Sequence, residues 1–418
     1  MRSNTDGFSM SSMDRKQIIS WALFDFANSS YSAVIASVIF PVYYAKTIVG
    51  NETGMGDVWW GRAISLSMAI IAFSSPFLGG IADYTGKRKR LLFAYTALCI
   101  LSVSALSLLQ KGMVFTGFCM IVLANIGMEG GLVFYNSFLP EIAPSQYHGR
   151  VSGWGFAVGY AGSIASLVLA LPLVKAGYLG TTWIMVAVFF AIFSAPAFLF
   201  LPPDRPGRMP VYMAATLGFR HTWNMLMEIW HRKEQRKFLL AYLIYEDGVN
   251  TVIVFSSIFA STTLGFKPEE LIWLYIVVQV TALIGAFAMA KPTDLFGPKK
   301  IVYSSLIMWS AVSILAFFVK TKPEFWGIAC IAGLGLGTVQ AATRAFYTQF
   351  IPEERESEYF GVYSLVGKSS AIIGPLVFGQ VSSAFKSQRP AILSVAAFFI
   401  AGLILIHFVR GGGPNIKR

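Results

Sequence analysis

The chain has 418 residues, of which 55% are apolar and 13% charged, against roughly a quarter charged in an ordinary soluble protein. So little charge cannot coat a water-facing surface, and 35 Phe, 17 Tyr and 10 Trp suit hydrocarbon and its interfaces. The formal net charge of +12 does not point to nucleic acid, because the basic residues sit in the links between apolar runs.

A helix needs about 20 apolar residues to cross the hydrocarbon, and twelve runs near that length follow one another along the chain. In the first half they cover roughly 18 to 44, 58 to 82, 91 to 109, 113 to 139, 151 to 174 and 181 to 201. The second half gives roughly 238 to 261, 269 to 291, 301 to 319, 326 to 350, 359 to 384 and 390 to 409. The first run is too long for a cleaved signal peptide and carries Asp25, so it reads as a retained helix. An ionisable group at mid-membrane costs about 2.5 to 3.5 kcal/mol on insertion scales, so each one defaults to a functional candidate. Asp25 and Asn28 lie three residues apart, on one face of the first helix.

The link after the second helix carries Gly79, Asp83, Gly86, Arg88 and Lys89, where glycine permits a tight turn and the basic residues face an anionic membrane surface. Glu129 lies in the middle of the fourth helix, flanked by glycines that allow backbone or ligand to come close. Between the sixth and seventh helices, residues 202 to 237 form a polar linker. Within it Phe219, Trp223, Leu226, Met227 and Trp230 recur at helical spacing, opposite Arg220, His221, Asn224, Glu228 and Arg232. This is a helix lying in the membrane interface or docked as a strut against the bundle.

The seventh helix repeats the arrangement of the first with Asp247 and Asn250, and Glu246 points about 100° away from Asp247. The next basic link repeats in shorter form as Asp294, Gly297, Lys299 and Lys300. On the tenth helix, Gly333, Gly335 and Gly337 suit close helix packing, and Arg344 is expected to face Glu129 across a central cavity. Such an acid and base could hold the two ends of a zwitterion when open and close on each other when empty, or form a permanent structural pair. Lys368 on the eleventh helix adds a cation that either belongs to the same site or reaches out to the interface along its stem.

With a cytoplasmic N-terminus the inside segments hold 21 basic residues, among them Arg2, Lys417 and Arg418, and the outside segments eight. The positive-inside rule then places both termini in the cytoplasm. Cys99, Cys119 and Cys330 fall singly inside apolar runs, and the four histidines do not cluster, so neither a metal nor a cofactor is expected.

The chain also repeats itself. VFYNSFLPE at 133 to 141 returns as AFYTQFIPE at 345 to 353, and the Asp83 and Asp25 motifs return with nearly the same offset. These matches predict an all-α membrane protein of twelve transmembrane helices in two pseudo-symmetric six-helix bundles, with residues 1–201, a linker 202–237, and residues 238–418 as its units. Internal repeats suit secondary transporters, whose two bundles rock about a central site.

The Gly79 to Lys89 pattern resembles the signature between helices two and three of the major facilitator superfamily. More narrowly, WALFDFANSSYSAVI, FPVYYA, VFYNSFLPEIA and EYFGVYSLVGKSSAIIGP together resemble the "unknown major facilitator" family, which includes the fungal autophagy-related vacuolar amino-acid effluxer. The resemblance covers nearly the whole chain. It implies alternating access and a small polar solute, an amino acid or short peptide being favoured over a sugar, muropeptide, siderophore or drug. A transporter-like sensor or a membrane-embedded enzyme would need a signalling domain or a catalytic cluster, and neither is visible. The short loops look bacterial, placing the protein in the inner (plasma) membrane as a monomer that meets a small-molecule substrate and uses H+. Gly159-Tyr-Ala-Gly162-Ser163 on the fifth helix lacks the Gly-Pro step of superfamily antiporters. In the superfamily the first and seventh helices face the central cavity, which makes Asp25, Asn28, Asp247 and Asn250 candidates for substrate or proton contacts.

Overall fold

The computed structural model describes residues 15–143, 148–205, 209–352 and 355–410. Arg2, Lys417, Arg418 and Glu353 of the repeated segment lie outside the described residues. Among the described residues twelve helices are long and apolar enough to cross a membrane. The first six are α1 (Arg15–Val49), α2 (Met55–Thr85), α3 (Arg88–Leu108), α4 (Val114–Asn136), α5 (His148–Lys175) and α6 (Leu179–Phe200). A linker helix, α7 (Val211–His231), follows. The last six spans are α8 (Lys233–Leu264), α9 (Pro268–Ala288), α10 (Pro298–Phe318), α11 (Lys322–Thr348), a broken span made of α12 (Glu356–Ser369) and α13 (Ile373–Phe385), and α14 (Gln388–His407). Every expected span is present within a few residues of its expected ends. The twelve-helix fold read from the sequence is the fold observed.

The duplicated segments do the same work twice. Tyr135 of α4 stacks on Trp21 of α1 at 4.6 Å and on Phe24 at 5.0 Å. Its repeat, Tyr347 of α11, stacks on Phe238 of α8 at 5.5 Å. The basic links behave alike as well. Lys89 Nζ donates to the Leu201 carbonyl just past the end of α6 at 2.7 Å, and Lys299 Nζ donates to the His407 carbonyl ending α14 at 3.0 Å. In each copy an ammonium meets the unsatisfied carbonyls at a helix C-terminus, where the helix dipole favours a cation.

Two spans depart from regular helix. Wide π turns run over Tyr31–Val38 in α1, immediately before Pro41, and turns of this kind concentrate at functional sites. The eleventh span breaks between Ser369 and Ile373. Proline has no N–H, and its ring crowds the carbonyl four residues back, so Pro375 favours a break through Ala371, whereas Pro76, Pro172 and Pro196 sit inside unbroken spans. Nothing in the hydropathy marks this break.

The linker helix docks through small side chains beside the marked apolar face, which keeps Phe219, Leu226 and Met227 half-buried. Ala214, Gly218, Met225 and Ile229 are buried, whereas Trp223 and Trp230 are about half exposed, at 50% and 46%. Small side chains explain the choice: Gly218 meets Gly80 of α2 backbone to backbone, and Phe219 stacks on Phe77 at 4.8 Å. At its other end Glu228 accepts from Arg355 at 2.9 and 3.0 Å and from Tyr359 Oη at 3.2 Å. One helix thereby touches both halves of the chain.

Hydrogen bonding from Arg355 holds the Glu228 carboxyl below the usual glutamate range. A depressed folded pKa contributes stability above the unfolded value, about 4.3, and loses it as pH falls through the folded value. An Arg355→Ala variant should therefore show a flatter acid limb in thermal melts in detergent than wild type. A Gly218→Leu variant should melt lower at every pH, because a side chain there has to push α7 off α2 at a cost of about 1–3 kcal/mol.

Candidate functional site

The two halves of the chain meet through an ion pair at mid-span. Lys368 Nζ lies 2.8 Å from Glu129 Oε2 and also donates to the Glu129 carbonyl at 3.0 Å. Lys368 occupies the last turn of α12, just before the break, and its side chain is 14% exposed against 26% for Glu129. It therefore does not reach out to the interface. The expected partner of Glu129 is Arg344, and here the expectation needs correcting. Arg344 is exposed on α11, with its guanidinium 5.8 Å from the Phe360 ring centroid. The repeat register sets the depth of Arg344 but carries no information about the eleventh span, whose break brings the Lys368 stem across to α4.

The glycines around Glu129 admit close packing from α3: a side chain at Gly127 would lie 2.6 Å from the Cys99 nitrogen. The space where Gly130 would carry a side chain is filled by the Tyr95 ring of α3, so this glycine serves helix packing. One turn away on α4, Asn125 accepts from Tyr31 Oη at 3.3 Å and donates to Ser67 Oγ at 2.7 Å. This buried link joins α1, α2 and α4 at the wide turns of α1. Sequence reasoning passes over Tyr31 and Ser67, because a hydroxyl inside an apolar run gives no pattern.

Asp25 and Asn28 share a face as expected, and Asn28 Nδ2 donates to Asp25 Oδ1 at 3.2 Å. The carboxyl lies against Gly155 of α5, within the packing of the first half. Asp247 is 3% exposed, and both of its carboxyl oxygens accept from the Gly374 N–H, at 2.8 and 2.9 Å. Asn250 Nδ2 donates to Ser370 Oγ at 3.1 Å. These two residues thus hold the break in the eleventh span, with Asp247 satisfying an N–H left free at the start of α13. Glu246, half-buried beside Asp247, makes no hydrogen bond or ion pair with the described residues.

The basic link after α2 is drawn into its own half. Arg88 reaches Asp83 at 3.2 Å, Glu141 at 3.4 Å and the Ser137 carbonyl at 3.3 Å. Lys89 N–H donates to Asp204 at 2.8 Å. Gly86 ends α2 with φ +65°, a conformation that favours glycine, and Gly79 has open space around it. In the second copy Asp294 and Lys300 are exposed, and Gly297 adopts φ +87°.

Comparison with known proteins decides the family. The model of the "Vacuole effluxer Atg22 like" family matches residues 62–411. The chain belongs to this family. An uncharacterized MFS-type transporter of Bacillus subtilis, YxiO, is 26% identical over 407 residues, covering 94% of this chain and 95% of its own. Autophagy-related protein 22-1 of Neosartorya fischeri is 24% identical over 290 residues, 62% of this chain, and the match spans about half (48%) of the fungal protein. Among solved structures, a point mutant of the nucleoside transporter NupG superposes with a TM-score of 0.70 at 12% identity, covering 94% of this chain and 99% of NupG. A bacterial homolog of the human lysosomal transporter Spinster, in an inward-facing and occupied conformation, gives 0.64 at 12% identity over 94% of this chain and 95% of its own. This Atg22-like protein is therefore a multi-pass membrane transporter of the major facilitator type.

The Glu129–Lys368 ion pair links the two halves and can be tested as a coupled pair. A Lys368→Met variant strands the Glu129 carboxylate, and Glu129→Gln strands the ammonium, each at a cost on the order of 2 kcal/mol for a partly buried charge. The Glu129→Gln/Lys368→Met double variant should melt closer to wild type than either single variant. Equal and additive losses would show that the two charges are not coupled.

Proposed function

We propose that this chain is a secondary active transporter that carries a small zwitterionic solute, an amino acid or short peptide, by alternating access driven by protons. The observation behind this reading is the Glu129–Lys368 pair, one charge from each half at mid-span. A carboxylate and an ammonium 2.8 Å apart present complementary partners for the two ends of a zwitterion. Substrate entry exchanges one internal ion pair for two to the ligand, so the charges stay compensated throughout.

Proton coupling falls to the carboxylates that no amide or backbone N–H holds. Asp25 is bonded to Asn28, and Asp247 is committed to the Gly374 N–H. Glu129, when Lys368 leaves it, and Glu246 are left as candidate carriers. The basic residues concentrated on the side of the termini and linker support a cytoplasmic location for that side in a plasma membrane.

Proteoliposomes supplied with radiolabelled amino acids and dipeptides test the reading. Wild type should exchange at least one of them by counterflow, and both Glu129→Gln and Lys368→Met should lose exchange by more than tenfold. Glu246→Gln should retain counterflow but fail to accumulate solute under an imposed pH gradient. Full exchange in the first two variants would remove the pair from the site, and wild-type accumulation indifferent to the gradient would remove the proton.

A further inference from the structure

Besides the Glu129–Lys368 pair, the hydrogen bonds between described residues of the two halves gather towards the end of the bundle away from the termini and linker. Lys46 at the end of α1 donates to the Ser261 carbonyl and hydroxyl of α8 at 3.3 and 3.2 Å, and Trp60 Nε1 donates to the Val254 carbonyl at 3.3 Å. Their centre is Asp57, in the first turn of α2 and 0% exposed. Its Oδ2 accepts from Ser382 Oγ of α13 at 2.5 Å, and Gln388 Nε2 of α14 donates to both oxygens at 3.0 and 2.9 Å. The Gln388 amide is oriented for this by Thr263 Oγ1, which donates to its oxygen at 2.8 Å.

From its own half, Asn51 holds the same carboxyl. Asn51 Nδ2 donates to Asp57 Oδ1 at 2.8 Å, and Asn51 Oδ1 accepts the Asp57 N–H at 3.1 Å. The surrounding surfaces are trimmed for contact: a side chain at Gly54 would lie 2.7 Å from Ser383 Cα, and one at Gly379 would lie 2.8 Å from the Asp57 carbonyl.

We propose that Asp57 is the gate residue of this far end, closing it by recruiting Ser382 and Gln388 from the opposite half and opening it by releasing them. The bonds fall into two groups that make this a switch. Those from Asn51 stay within one half and keep the carboxyl in position in either state. Those from Ser382 and Gln388 cross between halves and exist only when the far end is shut. A buried carboxyl that lost all its donors would be costly, and Asn51 prevents that on opening.

The gate is also joined to the central site. Helix α13, which carries Ser382, starts at the break where Asp247 binds Gly374 and lies directly after Lys368. A solute that draws Lys368 from Glu129 moves α12 relative to α13 at that break, and α13 transmits the displacement to Ser382. At the linker end the Asp83 carboxyl is paired with Arg88 of its own half, in contrast to Asp57, whose donors come from both. This gating assignment rests on the alternating-access reading but needs neither the substrate nor the coupling ion to be known.

Paired spin labels test it without transport. With Cys99, Cys119 and Cys330 replaced by alanine, one pair is placed at Lys111→Cys and Lys320→Cys in the exposed far-end loops, and another at Lys87→Cys and Lys300→Cys in the linker-end loops. In ligand-free protein reconstituted in nanodiscs, distances measured by electron double resonance should fall mainly in a short population at the far end. Asp57→Ala, and separately Ser382→Ala/Gln388→Ala, should transfer population to a longer far-end distance and a shorter linker-end distance. The double variant leaves the carboxyl with Asn51, so it decides the matter if Asp57→Ala does not fold. Distributions superimposable on wild type, or broadening at both ends alike, would overturn the proposal.

Discussion

The central constraint on this molecule is that a carboxylate and an ammonium, placed in different halves at mid-span, have to compensate each other. Neither Glu129 nor Lys368 could remain there alone without a cost on the order of 2 kcal/mol for a partly buried charge. Their 2.8 Å contact compensates both charges and ties the two halves together. A ligand bearing both charges can replace this contact without leaving either one bare.

The broken eleventh span makes the arrangement possible. Pro375 interrupts the backbone ladder, Asp247 takes up the Gly374 N–H, and Asn250 binds Ser370. The Asp247 and Asn250 pair is a candidate for substrate or proton contact because the superfamily resemblance sets the seventh helix on the central cavity, a bond to a neighbouring helix being the alternative. In the structure its partner is backbone that a proline has left unsatisfied. The same span carries the cation of the central pair on one side of the break and a donor to Asp57 on the other.

Much of the fold was legible because lipid imposes a simple length rule, and because duplication left matching words in the sequence. The twelve spans follow from hydropathy, and the Tyr135 and Tyr347 stacks realise a repeat visible as VFYN and AFYT. The pairing of charges was not legible in the same way. Internal symmetry placed Arg344 near the depth of Glu129, whereas the contact is made by Lys368, on a helix whose break and side-chain direction are properties of the packed bundle. Asp57 was invisible for a related reason: near the end of a span, an acid looks like an ordinary first-turn residue, and its donors lie about 325 and 331 positions away in the sequence. The linker helix shows the opposite limit. Its large apolar residues set the expected face, but the small ones, Ala214 and Gly218, decided which face could approach α2.

The central claim is that the two ends of one solute replace the two ends of the Glu129–Lys368 pair. Competition in the counterflow assay tests it most directly, using an amino acid that the wild-type protein exchanges, its N-acetyl derivative and its methyl ester as unlabelled competitors. The account predicts that blocking either end weakens competition by at least tenfold, while the parent amino acid competes fully. Equal competition by all three compounds would contradict it.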